Sequence, residues 1–409
     1  MKRSHVLAAL AVLALVISPL VTSAQECNIG TGLGSSVLIP YFELDPASPA
    51  GLTTLFSVVS ESSQDTMVRV VLWTDWGMPT LAFDVFLPRF DLQSFNVRDL
   101  FNGVIPSTGS GEDLSAFNFC NTPQFTPVHS NPALSVQERA QLVAWHSGVE
   151  GPLVAGCGGE NHGDGRVRGY ITMDTVDECS GVQIELDDGQ EEFFPTFGGY
   201  FADGGGGAGA IAVAQNRIWG DYILVDPANA FAQGSKAITL WADPARFTDD
   251  PTFTFYGRFN GYDGRDERVP LPTWWATRFL DGGAFSGGTD LFIWRDTGEA
   301  DPGPVACAGH PPWWPLQEGF ITARDETASD ASRVFIGTES NFFPLATQRV
   351  PVSDFSLPYD FGRIQLSLAD GPGLDNPRQG WLQTVLSANN LFSAGFNAQA
   401  LNDICDTAP

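Results

Sequence analysis

Carboxylates are the most plentiful reactive groups in this sequence, with 48 Asp and Glu among 409 residues. Adjacent acids stand at Asp187 and Asp188, Glu191 and Glu192, Asp249 and Asp250, Asp266 and Glu267, and Asp325 and Glu326. Glycoside hydrolysis needs two carboxyl groups facing each other across a sugar, at roughly 5 Å or roughly 6.5 to 9.5 Å, and neighbours in sequence do not supply that geometry. Beyond the first residues the histidines are His129, His146, His162 and His310, none paired at helical ligand spacing, and neither H-E-x-x-H nor G-x-S-x-G occurs. No catalytic residue is nominated. His146 follows Trp145 near a helix end and is expected to face carbonyl groups there.

Two stretches, Asn161 to Gly165 (NHGDG) and Asn260 to Glu267 (NGYDGRDE), are rich in oxygen and turned by glycine without the regular spacing of a calcium loop. Calcium and an ordinary polar turn are both open there, and no metal ligand is assigned. Gly204, Gly206 and Gly209 satisfy G-x-G-x-x-G, but no buried strand precedes them, so they read as a flexible loop and no other cofactor is expected.

The aromatic pairs are more suggestive. Trp274-Trp275 follows Pro270-Leu271-Pro272, and Trp313-Trp314 lies between Pro311-Pro312 and Pro315. On proline-stiffened connections such indoles would stack against sugar rings or a partner's aromatic surface, which makes Trp274, Trp275, Trp313 and Trp314 the candidate ligand-binding residues. The alternative is that each pair plugs one end of a sandwich, because Trp is usually largely buried.

The six cysteines are Cys27, Cys120, Cys157, Cys179, Cys307 and Cys405. Their even number suits disulfides in an oxidising compartment, and the absence of C-x-x-C argues against structural zinc. Many connectivities are open. Cys27 with Cys405 is favoured because chain ends are often neighbours, and a bridge between Cys120 and Cys157 would clip the intervening segment onto a sheet.

The compartment has a second indicator. Lys2 and Arg3, the apolar run Val6 to Ile17 and the small residues Thr22-Ser23-Ala24 read as an export signal over residues 1–24, cleaved near Gln25. The chain is therefore expected in the bacterial periplasm or secreted, with no membrane insertion of the mature part. Removing Lys2 and Arg3 takes the formal charge from −27 to −29. Such an acidic balance repels phosphate backbones, so nucleic acid is not an expected partner, whereas a glycan or a cell-surface protein is.

These groups must be positioned by short strands, because the 44 Gly and 28 Pro leave little room for long helices. Residues 52–59, 66–73, 80–87 and 92–97 read as a β-meander, with Val68, Val70 and Leu72 on one fully buried face and Arg69, Val71 and Trp73 on the other. Later strands are expected at 167–173, 182–186, 222–225, 237–241, 252–256, 291–294, 334–336, 363–368, 381–386 and 391–398. One helix is expected from about Val136 to His146, started by the capping box Ser135 and Glu138 and ended by Gly148. The fold class is mainly β: antiparallel β-sandwich modules with long Gly/Pro-rich loops and one short helical insertion. The expected division is a module over 25–165, with the insertion near 134–148, and a second β-rich module over 166–409.

Leu55 to Asp75 aligns with Ile223 to Asp243, and both end in apolar-x-Leu-Trp-x-Asp, which raises a module duplication. The alternative is a strand whose Trp packs and whose Asp opens the next turn. The segment GLTTLFSVV through VRVVLWTDWG and TLAFDVFL, with RGYITMDTV, WGDYILVDP, FAQG and GGTDLFIWRD, resembles uncharacterised exported bacterial proteins whose modules look like β-sandwiches. That resemblance spans most of the mature chain and implies location and fold only. The expected function is non-enzymatic binding or structural assembly at or outside the cell envelope; the second candidate is a secreted carbohydrate-active hydrolase using an acidic pair.

Overall fold

The computed structural model describes residues 32–117, 120, 126–184, 200, 211–242, 255–256, 267–296, 303–309, 311, 321–325, 333–337, 345–368, 379–388 and 391–401. The chain runs through β1 (Ser36–Leu44), β2 (Thr53–Ser60), β3 (Thr66–Thr74), β4 (Pro79–Leu87), β5 (Leu92–Asn96), α1 (Val97–Phe101), α2 (Val136–His146), β6 (Val167–Val176), β7 (Gln183–Ile184), β8 (Ile218–Asp226), β9 (Phe231–Lys236) and β10 (Ile238–Leu240). It continues through β11 (Trp274–Leu280), β12 (Gly288–Arg295), β13 (Ile321–Asp325), β14 (Arg333–Gly337), β15 (Thr347–Pro351), β16 (Phe361–Ser367), β17 (Gly380–Ala388), β18 (Phe392–Asn397) and β19 (Gln399–Ala400).

These strands form four antiparallel sheets, as the sequence leads one to expect of sandwich modules. A six-stranded sheet, β10-β1-β6-β3-β4-β7, faces the four-stranded sheet β5-β2-β8-β9 across a core that includes Val70, Phe83, Ile171, Phe56 and Leu224. A five-stranded sheet, β14-β13-β16-β11-β19, faces the second four-stranded sheet, β15-β12-β17-β18, across Trp275, Ile364, Leu291 and Leu382. The outer face of the six-stranded sheet, with Met67, Val71, Trp73 and Tyr170, joins that second core. Every residue of β3 and β4 is therefore buried, Arg69 included, where the alternation led one to expect a single fully buried face. β6 sits between β1 and β3, so strands on both sides of residue 165 share one sheet.

The expected meander is interrupted. The β3–β4 hairpin lies in the six-stranded sheet, whereas β2 and β5 pair in the opposite one. The strand patterns account for this: β3 and β4 are apolar on both faces and need cover on both, whereas β5 exposes Leu92 and Ser94 and suits an edge. Helix α2 has the expected bounds and capping box, with Ser135 accepting from Glu138 N and Glu138 reaching back to Ser135 N. Gly148 follows the helix with φ +68°, the left-handed conformation that a C-terminal glycine supplies. In the internal match, β2 and β8 pair with Leu55 opposite Ile223, but Trp73 is wholly buried while Trp241 is 36% exposed.

Among the described residues two disulfides are formed, Cys120–Cys179 and Cys157–Cys307, and they indicate an oxidising, extracytoplasmic environment. The Cys120–Cys157 pairing is thus incorrect. Cys179 lies just past β6 at the end where Val176 opposes Met67, whereas Gly158 meets Thr74 at the other end of β3. The length of β3, roughly 25 Å at about 3.3 Å per residue, separates those two places. The proposed Cys27–Cys405 bridge and the signal segment lie outside the described residues. Among the described residues no helix is long and apolar enough to cross a membrane.

Candidate binding cleft

Pro40 sits in the interior of β1, where it has no N–H to give to a neighbouring strand. Such a proline is tolerated at a bulge, and the β1–β6 register shifts between Ile39 and Phe42. The shift resets the alternation. Val37 and Ile39 face the first core, as Phe42 and Leu44 do after the shift, whereas Tyr41, stacked 5.0 Å from Phe292 of β12, and Glu43 are on the cavity side. Directly opposite Glu43 in register stands Arg168 of β6. Arg166, just ahead of β6, reaches the same carboxylate, and Arg349 of β15 approaches it from the second sandwich.

The resulting cluster is tightly paired at its centre. Glu43 Oε1 accepts from Arg166 Nη1 at 2.9 Å and from Arg168 Nη2 at 2.9 Å. Arg168 also grips Asp164 through both terminal nitrogens, at 3.0 and 2.5 Å, and these hydrogen bonds hold the Asp164 carboxyl well below the usual carboxylate range. Arg349 donates Nε to Asp290 Oδ2 at 2.9 Å and stacks over Phe231, 5.2 Å from the ring centre. Glu43 Oε2 remains without a hydrogen bond although it is fully buried. Burial, reinforced by the charge of Glu43, pushes the Tyr41 phenol far above its ordinary range and keeps it a neutral donor. Arg349 Nη1 is 4.0 Å from Glu43 Oε2, close enough to pair electrostatically and too far to hydrogen-bond.

The cluster lines a cavity of about 260 Å3 whose walls include Tyr41, Glu43, His162, Arg168, Asp290 and Arg349. A second cavity of about 270 Å3 shares Arg166 and Arg349 as walls and adds Leu52, Phe231, Phe392 and Asp226. Ala230, at φ +49°, closes the short turn that presents Phe231 to it. The edges of β9 and β18 meet here, where Ser393 Oγ bonds both the N–H and the carbonyl of Ala232. The Gln233 amide lies against Gly395, where a larger residue would have to push that side chain aside.

His146 meets the cluster at the Arg168 backbone. It is wholly buried, bonding Thr80 Oγ1 at 2.7 Å and the Arg168 carbonyl at 2.8 Å, and not the helix-end carbonyls that its place in the sequence led one to expect. A carbonyl only accepts, so Nδ1 carries the proton. Burial pushes its pKa down to about 4. His162 bonds Asp75, whose other oxygen accepts from Glu160 N at 3.0 Å. Asp75 thus anchors the NHGDG loop, and the turn after Trp73 is closed by Thr74, whose hydroxyl accepts from Met78 N. Within NHGDG, Asn161 bonds Gly163 N and Asp164 is committed to Arg168. Among the described residues no group of three or more His, Cys, Asp or Glu side chains is arranged to hold a metal ion.

The nominated tryptophans are not brought together as a platform. Trp274 and Trp275 open strand β11, where a proline-stiffened loop had been expected, so alternation sends them to opposite faces. Trp275 is 1% exposed, donates to the Gly380 carbonyl at 3.1 Å and packs edge-on against Trp381. Trp274 is 36% exposed. Trp313 and Trp314 lie outside the described residues, as do His310, residues 260–266, the Gly204 to Gly209 run and the acid pairs at 187–188, 191–192 and 249–250. The cleft residues Tyr41, Glu43, Arg166, Arg168, Asp290 and Arg349 went unrecognised. One signal for them existed: Arg166-Val167-Arg168 places two arginines on one face of a strand in a chain with 21 basic residues in all.

Compared with protein-family models, with curated proteins and with solved structures, the chain finds no match in any of the three.

Proposed function

We propose that this chain is an exported, non-enzymatic binding protein and that its ligand seat is the arginine-lined cleft between the two sandwiches. The reading is carried by one observation: a buried carboxylate oxygen that accepts no hydrogen bond, with a buried phenol next to it, lines a cavity beside three guanidinium groups. Leaving such an atom unsatisfied costs roughly 1 to 3 kcal/mol, a penalty that a bound ligand would relieve. Export accords with the two disulfides and with the signal-like residues 1–24. A glycan platform on the tryptophans is less well supported, because Trp275 is a core residue.

Binding is favoured over hydrolysis by the same geometry. Glu43 and Asp290 are the two cluster carboxylates on the cavity wall, but Arg349 stands between them and pairs with both. A glycosidic acid instead keeps its proton beside apolar surface. The test is a thermal-shift screen of small polar molecules on the mature protein and on Arg349→Gln. A compound that stabilises the first and not the second supports the reading. Hits indifferent to the substitution, or turnover of glycoside substrates, overturn it.

A further inference from the structure

The cleft as a ligand seat rests on the reading above; its chemistry narrows the ligand further. Three carboxylates, Glu43, Asp164 and Asp290, balance three guanidiniums, Arg166, Arg168 and Arg349, so the cluster selects neither a net anion nor a net cation. What it lacks is specific to particular atoms. Glu43 Oε2 needs a donor, and the strongest donor for a carboxylate is a cationic N–H. On the other side, Arg349 commits Nε and Nη2 to Asp290, and Arg166 commits Nη1 to Glu43, which leaves Arg349 Nη1 and Arg166 Nη2 for an acceptor. These two guanidiniums, about a third exposed, form the shared wall of the two cavities.

The vacant acceptor and the vacant donor are 4.0 Å apart. An ammonium and a carboxylate borne on one carbon can bridge that pair from the cavity side, each facing its opposite charge. The neighbouring cavity then offers Leu52, Phe231 and Phe392 to whatever the same carbon carries. Both cavities lie below the roughly 300 Å3 at which drug-sized pockets begin, so the ligand is small.

The geometry points to a free α-amino acid with an apolar side chain as the ligand of this cleft, its ammonium on Glu43, its carboxylate between Arg166 and Arg349, and its side chain against Phe231 and Phe392.

Calorimetric titration of the mature protein with L-phenylalanine and L-leucine tests this, alongside phenethylamine, 3-phenylpropanoate, glucose and inorganic phosphate. The expected result is binding of at least one of the amino acids, with the matching analogue that lacks either charge at least tenfold weaker. Glu43→Gln should weaken amino-acid binding at least tenfold and leave 3-phenylpropanoate binding within about threefold, while Arg349→Gln weakens both. The analogue series on the unaltered protein decides even where Glu43→Gln does not fold. Should glucose or phosphate bind in an Arg349-dependent way while the amino acids do not, the amino-acid assignment falls and the cleft as a ligand seat stands. Failure of all these probes overturns the assignment, and failure of the wider screen as well removes the cleft reading.

Discussion

Two clusters of buried charge sit on the six-stranded sheet, and they differ in one respect. Around Asp174 of β6 the carboxylate itself is fully engaged: it is 0% exposed and accepts from Tyr200 at 2.8 Å, from Tyr256 at 2.9 and 3.0 Å and from Ser36, with Arg268 Nε at 3.5 Å. Around Glu43, seven residues further along β1 from the Ser36–Asp174 pair, the central hydrogen bonds are as short, but one carboxylate oxygen accepts none and a cavity opens beside it. Burial of charge is common to both; satisfaction is not. A saturated cluster is a structural staple, while an unsaturated one beside open volume is a seat for something else.

The contrast is broken most directly at its saturated end. Asp174→Asn removes the anion that two phenols, a serine and a guanidinium share, and should cost about 3 to 5 kcal/mol in urea unfolding, as loss of one partner from a buried pair generally does. A loss below about 1 kcal/mol would mean that Asp174 is not a staple, and the distinction between the clusters would lose its basis.

The same distinction between sealed and open recurs within one dipeptide. Trp275→Ala empties a core site and should cost about 3 to 5 kcal/mol, whereas Trp274→Ala on the outer face should cost under about 1 kcal/mol, read from paired denaturation curves. Equal costs would show that the strand alternation assigned to β11 is wrong.

What the sequence made legible follows from where its signals were local. The capping box of α2 needs only residues 135 to 138, and the sandwich class needs only short apolar runs with turns between them, so both are recoverable. The strand that builds the cleft was hidden by its own defining feature: Pro40 interrupts an otherwise apolar run, and a proline demotes a run read in isolation even though here it makes the bulge that redirects Glu43. Strand β11 was obscured similarly, because flanking prolines made Trp274 and Trp275 read as a loop. The cleft itself joins residues 43, 166, 290 and 349, whose meeting depends on how the six-stranded sheet and the second four-stranded sheet are placed against each other. No local pattern encodes that.

Acid should sharpen the contrast, because a sealed residue adjoins the open site. His146 titrates at about 4 in the folded protein against its ordinary 6.5. Between those values the unfolded chain binds the extra proton, so His146 costs nothing above about pH 6.5 and destabilises the fold progressively as pH falls toward 4. The span corresponds to roughly 3 kcal/mol. Unfolding free energies from pH 7 to 4 should show this slope, and His146→Gln should lose most of it even if the variant is less stable throughout. An unchanged slope in the variant would assign the acid sensitivity to the carboxylates instead.

The smallest effect is expected where the geometry looks most charged. Glu43→Gln keeps the shape of the side chain and an oxygen for Arg166 and Arg168, while Arg168 retains Asp164, Arg349 retains Asp290, and Arg166 is 35% exposed to water. The fold should therefore lose about 1 kcal/mol or less in urea, the range of partly exposed ion pairs. Asp174→Asn, the same chemical change in a saturated cluster, should cost several times more. If the two variants proved equally destabilising, Glu43 would be a staple like Asp174, and its unbonded oxygen would be a tolerated defect of packing with no bearing on ligands.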